Sequence, residues 1–321
     1  MAVIPYEWKE EHSVLSAQLN GEKLKTDVLK LPRCEVDALG WSCDGERLFS
    51  CGRDGTLRIF KADKLSEERA VIGSWTSAAA HPLDSNLLAM TSWEGKLRIM
   101  DYRTGTAAVE ADLRKQKETI DKILGVTWNV QGTALALHTR GDFLQVVNFI
   151  EGGLYLANEG IQYSAEIHGT CWDAAGRVWT GLAGTPGLIS VTGVSDVVAH
   201  HYSTRSLARS RDGTLIASGG QDSLAIIWDS KEIAAMRSFP GATAPVSCIG
   251  ISGDSRLLAW GCGGVGKDGD SVLYIGGVRT GAQYMALPTS VPVNHIAWHP
   301  QRTTVAYASA GDAGSVQILD L

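Results

Sequence analysis

Short stretches of alternating apolar and polar residues recur along the chain, separated by turn residues. Leu57-Arg-Ile, Leu97-Arg-Ile and Leu224-Ala-Ile alternate with the period of two that a half-buried strand requires. In four places an acidic residue stands six positions before the end of such a stretch, namely Asp54, Glu94, Asp142 and Asp222. The pattern predicts many short β-strands joined by tight turns.

The same unit occurs seven times along the chain. Each copy is located by the residue four positions before the glycine of the turn between its first two strands, and successive copies are 37 to 48 residues apart. These residues are Trp41, Ala80, Trp128, Trp172, Arg209, Ile251 and Trp298. The four Trp suit the second-strand edge of a unit, where a large ring packs on the neighbouring sheet. Units of this length are typical of four-stranded blades, so we predict an all-β, seven-bladed β-propeller.

The last repeat provides three strands where the others provide four. The strand-like segment Leu24-Lys-Thr-Asp-Val-Leu-Lys-Leu31 precedes the first repeat and is otherwise unassigned. We expect it to complete the last blade, because this pairing covers edges that would otherwise be exposed. The assignment leaves residues 1–22 as an N-terminal extension and residues 23–321 as a single propeller domain.

Composition argues against several functional classes. Lys and Arg number 29 against 35 Asp and Glu, and the net charge is −6. Sequence-independent nucleic-acid binding needs a concentrated basic stripe, so direct RNA or DNA binding is not expected to be the main activity. The six Cys have no C-x-x-C spacing, so neither a zinc site nor a disulfide framework is indicated. With no long apolar run and no signal peptide, the chain is expected to be intracellular and soluble.

The glycine-rich segment Gly261–Asp268 matches seven of the eight positions of a phosphate-binding P-loop. Asp268 stands where a Ser or Thr hydroxyl should bind magnesium, and the following segment, Ser271-Val-Leu-Tyr-Ile, is typical of a strand and not of a helix. We therefore expect no nucleotide, metal or other cofactor. His81 and His299 each precede Pro and are interpreted as turn residues, and no nucleophile motif is found, so no catalytic residues are predicted.

The fifth repeat resembles those of the WD40 family, most clearly in Ala217-Ser-Gly-Gly-Gln-Asp222 and Trp228-Asp229. The resemblance implies a buried hydrogen-bond chain, and its members are His200, Ser218, Asp222 and Trp228. Such a chain stabilises only when every member is satisfied. Its role is expected to be structural, although the Ser, His and Asp residue types are those of a catalytic triad.

Further segments resemble the small WD40 subunit of the THO complex, the Tex-type or third subunit. Val293-Asn-His-Ile-Ala-Trp-His-Pro300 and Ala313-Gly-Ser-Val-Gln-Ile-Leu319 carry most of the specificity, whereas blades three and four depart from the pattern. The resemblance implies a non-enzymatic nuclear subunit that acts in co-transcriptional mRNP assembly and mRNA export. It would dock as a monomeric propeller on large helical THO subunits beside a DEAD-box RNA helicase, without a membrane, and contact RNA only indirectly.

Loops on a rigid scaffold are free to recognise partners, so we expect the partner-binding face at the channel mouth beside the turns between second and third strands. The candidate residues are Asp37, Arg53, Trp93, Arg140, Gln221 and Trp260. Trp and Arg are enriched at binding hot spots, but Trp93 and Trp260 could equally pack under a loop. The alternative function is a reader of histone tails or degrons in a chromatin or ubiquitin-ligase complex, which needs a concave pocket or an aromatic cage.

Overall fold

The computed structural model describes residues 25–31, 35–120, 122–263, 270–309 and 315–321. Within these ranges, 29 strands form seven antiparallel sheets, with one short helix, α1 (Leu113–Gln116). Each sheet is one blade, and the blades follow one another in chain order. The predicted all-β, seven-bladed propeller is confirmed.

Blade one consists of β2 (Val36–Trp41), β3 (Arg47–Gly52), β4 (Leu57–Lys61) and β5 (Ser66–Val71). Blade two consists of β6 (Trp75–Ala80), β7 (Leu87–Ser92), β8 (Lys96–Asp101) and β9 (Ala107–Asp112). Blade three consists of β10 (Ile123–Trp128), β11 (Ala134–Thr139), β12 (Phe143–Ile150) and β13 (Gly153–Leu156), with β14 (Ile161–Gln162) also paired to β12.

Blade four consists of β15 (Ile167–Trp172), β16 (Val178–Leu182), β17 (Gly187–Val191) and β18 (Val197–His200). Blade five consists of β19 (Thr204–Arg209), β20 (Leu215–Gly220), β21 (Ala225–Asp229) and β22 (Ala234–Phe239). Blade six consists of β23 (Cys248–Ile251), β24 (Leu257–Cys262), β25 (Asp270–Gly277) and β26 (Gln283–Pro288).

Blade seven joins the two ends of the described chain. It consists of β27 (Val293–Trp298), β28 (Thr304–Ser309), β29 (Ser315–Asp320) and β1 (Lys25–Lys30). β1 pairs antiparallel with β29, from Lys25 opposite Asp320 to Lys30 opposite Ser315. The predicted completion of the last blade by the N-terminal strand is confirmed, and β2 packs against β27 to close the ring.

The core is divided among the seven interfaces between neighbouring blades. Apolar side chains of adjacent sheets form one buried cluster at each interface, so no blade buries its faces alone. At the closing interface, Leu29 and Val316 of blade seven share a cluster with Leu48 of blade one. The N-terminal strand therefore contributes apolar burial as well as backbone pairing.

Four tryptophans connect neighbouring blades by hydrogen bonds. Each ends the first strand of its blade, and not the second-strand edge that the sequence suggested. The indole donations are Trp41 Nε1 to the carbonyl oxygen of Ala297 at 3.1 Å, Trp128 to Ala79 at 3.0 Å, Trp172 to Thr127 at 3.1 Å and Trp298 to Gly250 at 3.0 Å. Every acceptor lies on the first strand of the preceding blade, so each indole bridges two blades beside the channel.

Candidate partner-binding face

The strand order gives the propeller two faces. We call the face with the turns between second and third strands, and the connections from one blade to the next, the upper face. The turns between first and second strands form the lower face. Arg53, Trp93, Arg140 and Gln221 all lie in upper-face turns, and each follows directly on a second strand.

A central cavity of about 360 Å³ runs between the first strands of all seven blades. Its wall includes Asp37 of blade one, Gly125 of blade three, His168 of blade four and Arg205 of blade five. The remaining wall consists mainly of further residues of the first strands, together with His138 of β11. Of the six predicted partner-binding residues, Asp37 is the one that lines this cavity.

Arg53 connects the rim to the cavity. Its guanidinium forms an ion pair with Glu35, and its Nε lies 3.4 Å from Asp37 Oδ1. Glu35 in turn accepts a hydrogen bond from Asn294 Nδ2 at 3.4 Å, which links blade one to blade seven. Burial raises the pKa of Asp37, and Arg53 opposes that rise. The Arg53 side chain remains 66% exposed, so a partner can still contact it.

Trp93 lies at the junction of blades one and two on the upper face and is 47% exposed. Its backbone N–H donates to the Ser74 carbonyl at 3.2 Å, which holds it beside the connection between those blades. Ile72, in the same connection, is 86% exposed. Sequence reasoning missed Ile72, although a large apolar residue just before the turn glycine Gly73 was the available signal.

Arg140 and Gln221 are exposed, and their backbones are tied to neighbouring connections. Arg140 N–H donates to the Lys122 carbonyl at 3.0 Å, and Gln221 N–H donates to the Ser203 carbonyl at 2.9 Å. These bonds hold the turns in place and leave both side chains on the upper face. The structure thus brings four candidate residues to the rim and Asp37 to the cavity beneath it.

The expectation that Trp260 lies at this face is wrong. It is completely buried, stacks on Tyr274 with ring centroids 5.4 Å apart, and packs on Phe239 in the cluster between blades five and six. The reason is that β24 continues to Cys262, so Trp260 is an internal strand residue and not part of a turn. Residues 264–269, including Asp268 of the glycine-rich segment, lie outside the described residues.

The four residues of the fifth repeat form a continuous hydrogen-bond chain. Asp222 Oδ1 accepts from His200 Nδ1 at 3.0 Å, and His200 Nε2 lies 2.9 Å from Ser218 Oγ. Ser218 Oγ also accepts from Trp228 Nε1 at 2.8 Å. Because Ser218 and Trp228 are buried, no substrate reaches the hydroxyl, and the arrangement connects the end of β18 in blade four to β20 and β21 in blade five. Burial lowers the pKa of His200.

No group of three or more His, Cys, Asp or Glu side chains in the described part of the chain has the geometry to hold a metal ion. Across the same residues, no helix is both long and apolar enough to cross a bilayer.

Comparison with known proteins identifies the repeats. Residues 25–61 and 193–229 match the family model "WD domain, G-beta repeat". The first match covers β1 to β4 and the second covers β18 to β21, so each begins with the outer strand of one blade and continues into the next. The chain contains WD40 repeats, and the offset of the match agrees with the pairing of β1 with β29 in blade seven.

Two curated proteins and one solved structure match most of the chain. THO complex subunit 3 of Arabidopsis thaliana is 23% identical over 287 residues, covering 85% of this chain and 86% of the relative. WD repeat-containing protein AAC3 of Dictyostelium discoideum is 21% identical over 68% of this chain, which spans 51% of that relative. The crystal structure of the Myceliophteria thermophila Cps50 (Swd1) β-propeller domain superposes with a TM-score of 0.75 at 15% identity, covering 92% of this chain and 100% of that domain.

Proposed function

We propose that this WD40-repeat chain is a non-enzymatic scaffold subunit of a THO-type assembly, acting in co-transcriptional mRNP assembly and mRNA export in the nucleus. The observation that carries the proposal is the similarity to THO complex subunit 3, which extends over 85% of this chain and 86% of the relative. The match extends well beyond the two repeats, residues 25–61 and 193–229, that match the family model.

The upper face supports a docking role. It combines an exposed Trp and an exposed Arg, Trp93 and Arg53, with the apolar Ile72, on turns that a rigid ring holds in place. Aromatic and Arg side chains dominate the energy of many protein interfaces. Docking on large helical subunits through this face would leave RNA contact to those partners, in keeping with the net charge of −6.

The proposal is tested by isolating the tagged protein from its own cells and identifying the associated proteins by mass spectrometry. We expect the other THO subunits in stoichiometric amounts, and reconstitution of the complex from purified helical subunits. Recovery of chromatin or ubiquitin-ligase subunits in their place would contradict the proposal. That result would favour the alternative function, a reader of histone tails or degrons.

A further inference from the structure

Four exposed apolar side chains face one groove on the outer side of the propeller, between blades three and four. Ile150 of β12 is 52% exposed, Tyr155 of β13 is 59%, Ile161 of β14 is 38% and Val198 of β18 is 64%. We call this surface the lateral groove. These four are a third of the twelve large apolar side chains that are exposed within the described residues. Such a concentration on a soluble protein is typical of an interaction site.

On blade three, strand register turns these side chains toward blade four. Leu144 and Val146 of β12 pack in the cluster between blades three and four. Because side chains alternate along a strand, Ile150 lies on the same face of β12 as Val146. Ile161 lies directly opposite Leu144, and residues opposite each other in an antiparallel pair share a face.

The outer strands of the two blades complete the groove. Tyr155 alternates with Leu154 and Leu156, which pack against the cluster between blades two and three, so Tyr155 faces the other way, toward blade four. On blade four, Val198 lies opposite Leu188, which packs against the cluster between blades three and four. Val198 therefore faces blade three, and the four side chains line the two sides of one groove.

The shape of the groove favours a helix over an added strand. Tyr163 Oη donates a hydrogen bond to Ser190 Oγ of β17 at 3.2 Å, which joins the two blades at the groove. The outer edge of blade three is discontinuous, because β13 and β14 pair with opposite ends of β12. An extended segment would lack a continuous edge there, whereas a helix about 10 Å in diameter can contact side chains of two sheets at once.

The surroundings of the lateral groove are acidic. Residues 141–204, from β12 to β18, contain six Asp or Glu and a single basic residue, Arg177. This net charge of −5 accounts for most of the −6 of the whole chain. Glu151 and Asp196 lie in the turns that lead into β13 and β18, one on each side of the groove. Both are exposed, and neither makes an ion pair within the described residues.

Charge distinguishes the candidate occupants of the lateral groove. Residues 1–24 of this chain contain four Glu and two Lys, a net side-chain charge of −2, and a second copy of the chain carries −6. Either would bring further negative charge to an acidic surface. A basic segment of another protein has the complementary charge, which favours both encounter and specificity.

We propose that the lateral groove binds a basic amphipathic helix of a protein partner. The apolar face of the helix packs on the four exposed side chains, and its Lys or Arg residues pair with Glu151 and Asp196. β12 is eight residues long and extends about 26 Å, the length of a helix of about 17 residues. The groove is separate from Arg53 and Trp93 of the upper face, and the proposal does not depend on the THO assignment.

Selection from a phage library of helix-forming peptides on the full chain tests the groove. We expect the selected peptides to carry Leu, Ile or Phe at positions i, i+3 or i+4 and i+7, with Lys or Arg beside them. Fluorescence anisotropy then measures the affinity of one selected peptide. High salt should weaken its binding, and a Pro in the middle of the peptide should abolish it. Acidic selected peptides, or peptides that tolerate the Pro, overturn the proposal.

Val198→Lys should weaken the selected peptide about tenfold or more, because it places a bulky cation in the groove. Val28→Lys is the matched control, since Val28 is a similarly exposed side chain on the outer strand of blade seven, and it should bind the peptide as the parent does. Both variants should keep the parent's unfolding temperature. Equal affinity of the parent and Val198→Lys would place the peptide elsewhere and overturn the proposal.

A second pair of variants tests the charge of the groove. The double variant Glu151→Gln/Asp196→Asn should weaken the peptide about threefold and reduce its salt dependence. Asp63→Asn/Glu118→Gln removes two exposed carboxylates elsewhere on the molecule and should bind as the parent does. Equal losses for the two double variants would mean that the peptide responds only to net charge, which contradicts binding in the groove.

Other occupants give different results. If residues 1–22 filled the groove, their deletion would strengthen peptide binding. If a second copy filled it, sedimentation would show a dimer that Val198→Lys dissociates. Either result overturns the proposal. Trp93→Ala should weaken the upper-face partner and leave peptide binding unchanged, so this site and the proposed THO-type function fail or stand separately.

Discussion

His81 and His299 connect neighbouring blades, a larger structural role than the sequence predicts for them as turn residues. Each Nδ1 accepts two backbone N–H groups of its own loop, and each Nε2 donates to a carbonyl of the next blade. For His81, the donors are the N–H groups of Leu83 at 3.2 Å and Asp84 at 2.8 Å, and the acceptor is the Gly132 carbonyl at 3.0 Å. For His299, the donors are the N–H groups of Gln301 at 3.1 Å and Arg302 at 3.0 Å, and the acceptor is the Gly45 carbonyl at 3.2 Å. Because backbone N–H groups only donate, both rings must be neutral.

Acid should destabilise the fold at a pH where carboxylates are still ionised. Burial lowers the pKa of His81, His299, His138 and His295, the last two from 6.5 to about 4. The unfolded chain therefore binds more protons than the folded chain between these values. Stability is fully present above about pH 6.5 and should fall as the pH drops toward 4, as measured by urea unfolding at a series of pH values.

The control for this effect is the exposed His201. His81→Asn keeps an oxygen that can accept the loop N–H groups but cannot titrate. The loss of stability between about pH 6.5 and 4 should therefore be smaller in this variant than in the parent protein. His201→Asn should leave the decline unchanged. A stability curve that is flat over this range in the parent protein would show that the histidines are not held neutral.

Asp222→Ala should lower the free energy of unfolding by about 1–3 kcal/mol, because it leaves His200 without its carboxylate partner in a buried chain. Asp222 also accepts the His201 N–H at 2.9 Å. Asp196→Ala, in the exposed connection between β17 and β18, should stay within roughly ±0.5 kcal/mol. Denaturant unfolding of both variants measures the difference, and equal effects would mean that the chain of hydrogen bonds does not support the fold.

At the scale of elements, the turn glycines of the lower face allow neighbouring blades to approach closely. Gly45 and Gly132 have φ of +76° and +73°, and a Cβ there would lie 2.2 Å and 2.3 Å from the rings of His299 and His81. Gly152 has a similar φ of +75° but open space around it. Gly45 and Gly132 therefore combine a left-handed backbone with a close contact to the next blade, whereas Gly152 has the left-handed backbone alone.

Gly45→Ala and Gly132→Ala should therefore destabilise more than Gly152→Ala. All three changes carry the strain of a left-handed residue, about 1–2 kcal/mol. The first two add steric overlap with a cross-blade histidine, typically a further 1–3 kcal/mol. Thermal and urea unfolding should rank Gly152→Ala as the mildest change, and three equal losses would exclude the cross-blade contact as the cause.

Removal of β1 should open the ring. A variant lacking residues 1–31 leaves β29 as an edge strand and exposes the surface buried by Leu29 and Leu31, about 1.5–3 kcal/mol for each side chain. We expect a lower unfolding temperature and a less cooperative transition in calorimetry. A variant lacking residues 1–22 keeps the strand and should unfold as the parent does, and identical transitions for the two deletions would contradict the closure.

At the scale of the whole molecule, the ring separates residues that hold blades together from residues that remain free for a partner. The indoles and histidines described above connect first strands and lower-face loops, whereas Arg53 and Trp93 extend from upper-face turns. Substitution of Trp93 should therefore change binding without changing stability, whereas Arg53 also pairs with Glu35 and Asp37.

Arg53→Ala and Trp93→Ala should each weaken association with a helical scaffold partner by about 1–4 kcal/mol. Trp93→Ala should leave the unfolding temperature unchanged, whereas Arg53→Ala also removes two ion pairs of a largely exposed side chain, which are worth about 0–1 kcal/mol. Arg279→Ala on the lower face is the matched control and should retain full affinity. Binding is measured by titration of the purified partner or by quantitative pull-down. If both upper-face variants retain the partner while lower-face changes release it, the chosen face is wrong.

The sequence could predict positions near turns only where its turn signals were unambiguous. Asp142 was grouped with Asp222, but its φ of 59° matches Ser223 at 65°, so it occupies the next turn position. The sequence predicts Trp260 near a turn, but β24 continues two residues further, to Cys262. Both errors are shifts of register, and a shift in a β-strand also reverses which face a side chain occupies.

The sequence by itself determined the number of blades, their order and the exchange of β1 into the last blade. These features follow from local periodicity and from the count of strands in each repeat, which need no knowledge of distant contacts. Only the tertiary structure decided which polar atoms meet across blades. His81 Nε2 meets the Gly132 carbonyl and His299 Nε2 meets the Gly45 carbonyl, although 51 and 254 residues separate the partners along the chain, so these contacts depend on how neighbouring blades pack around the ring.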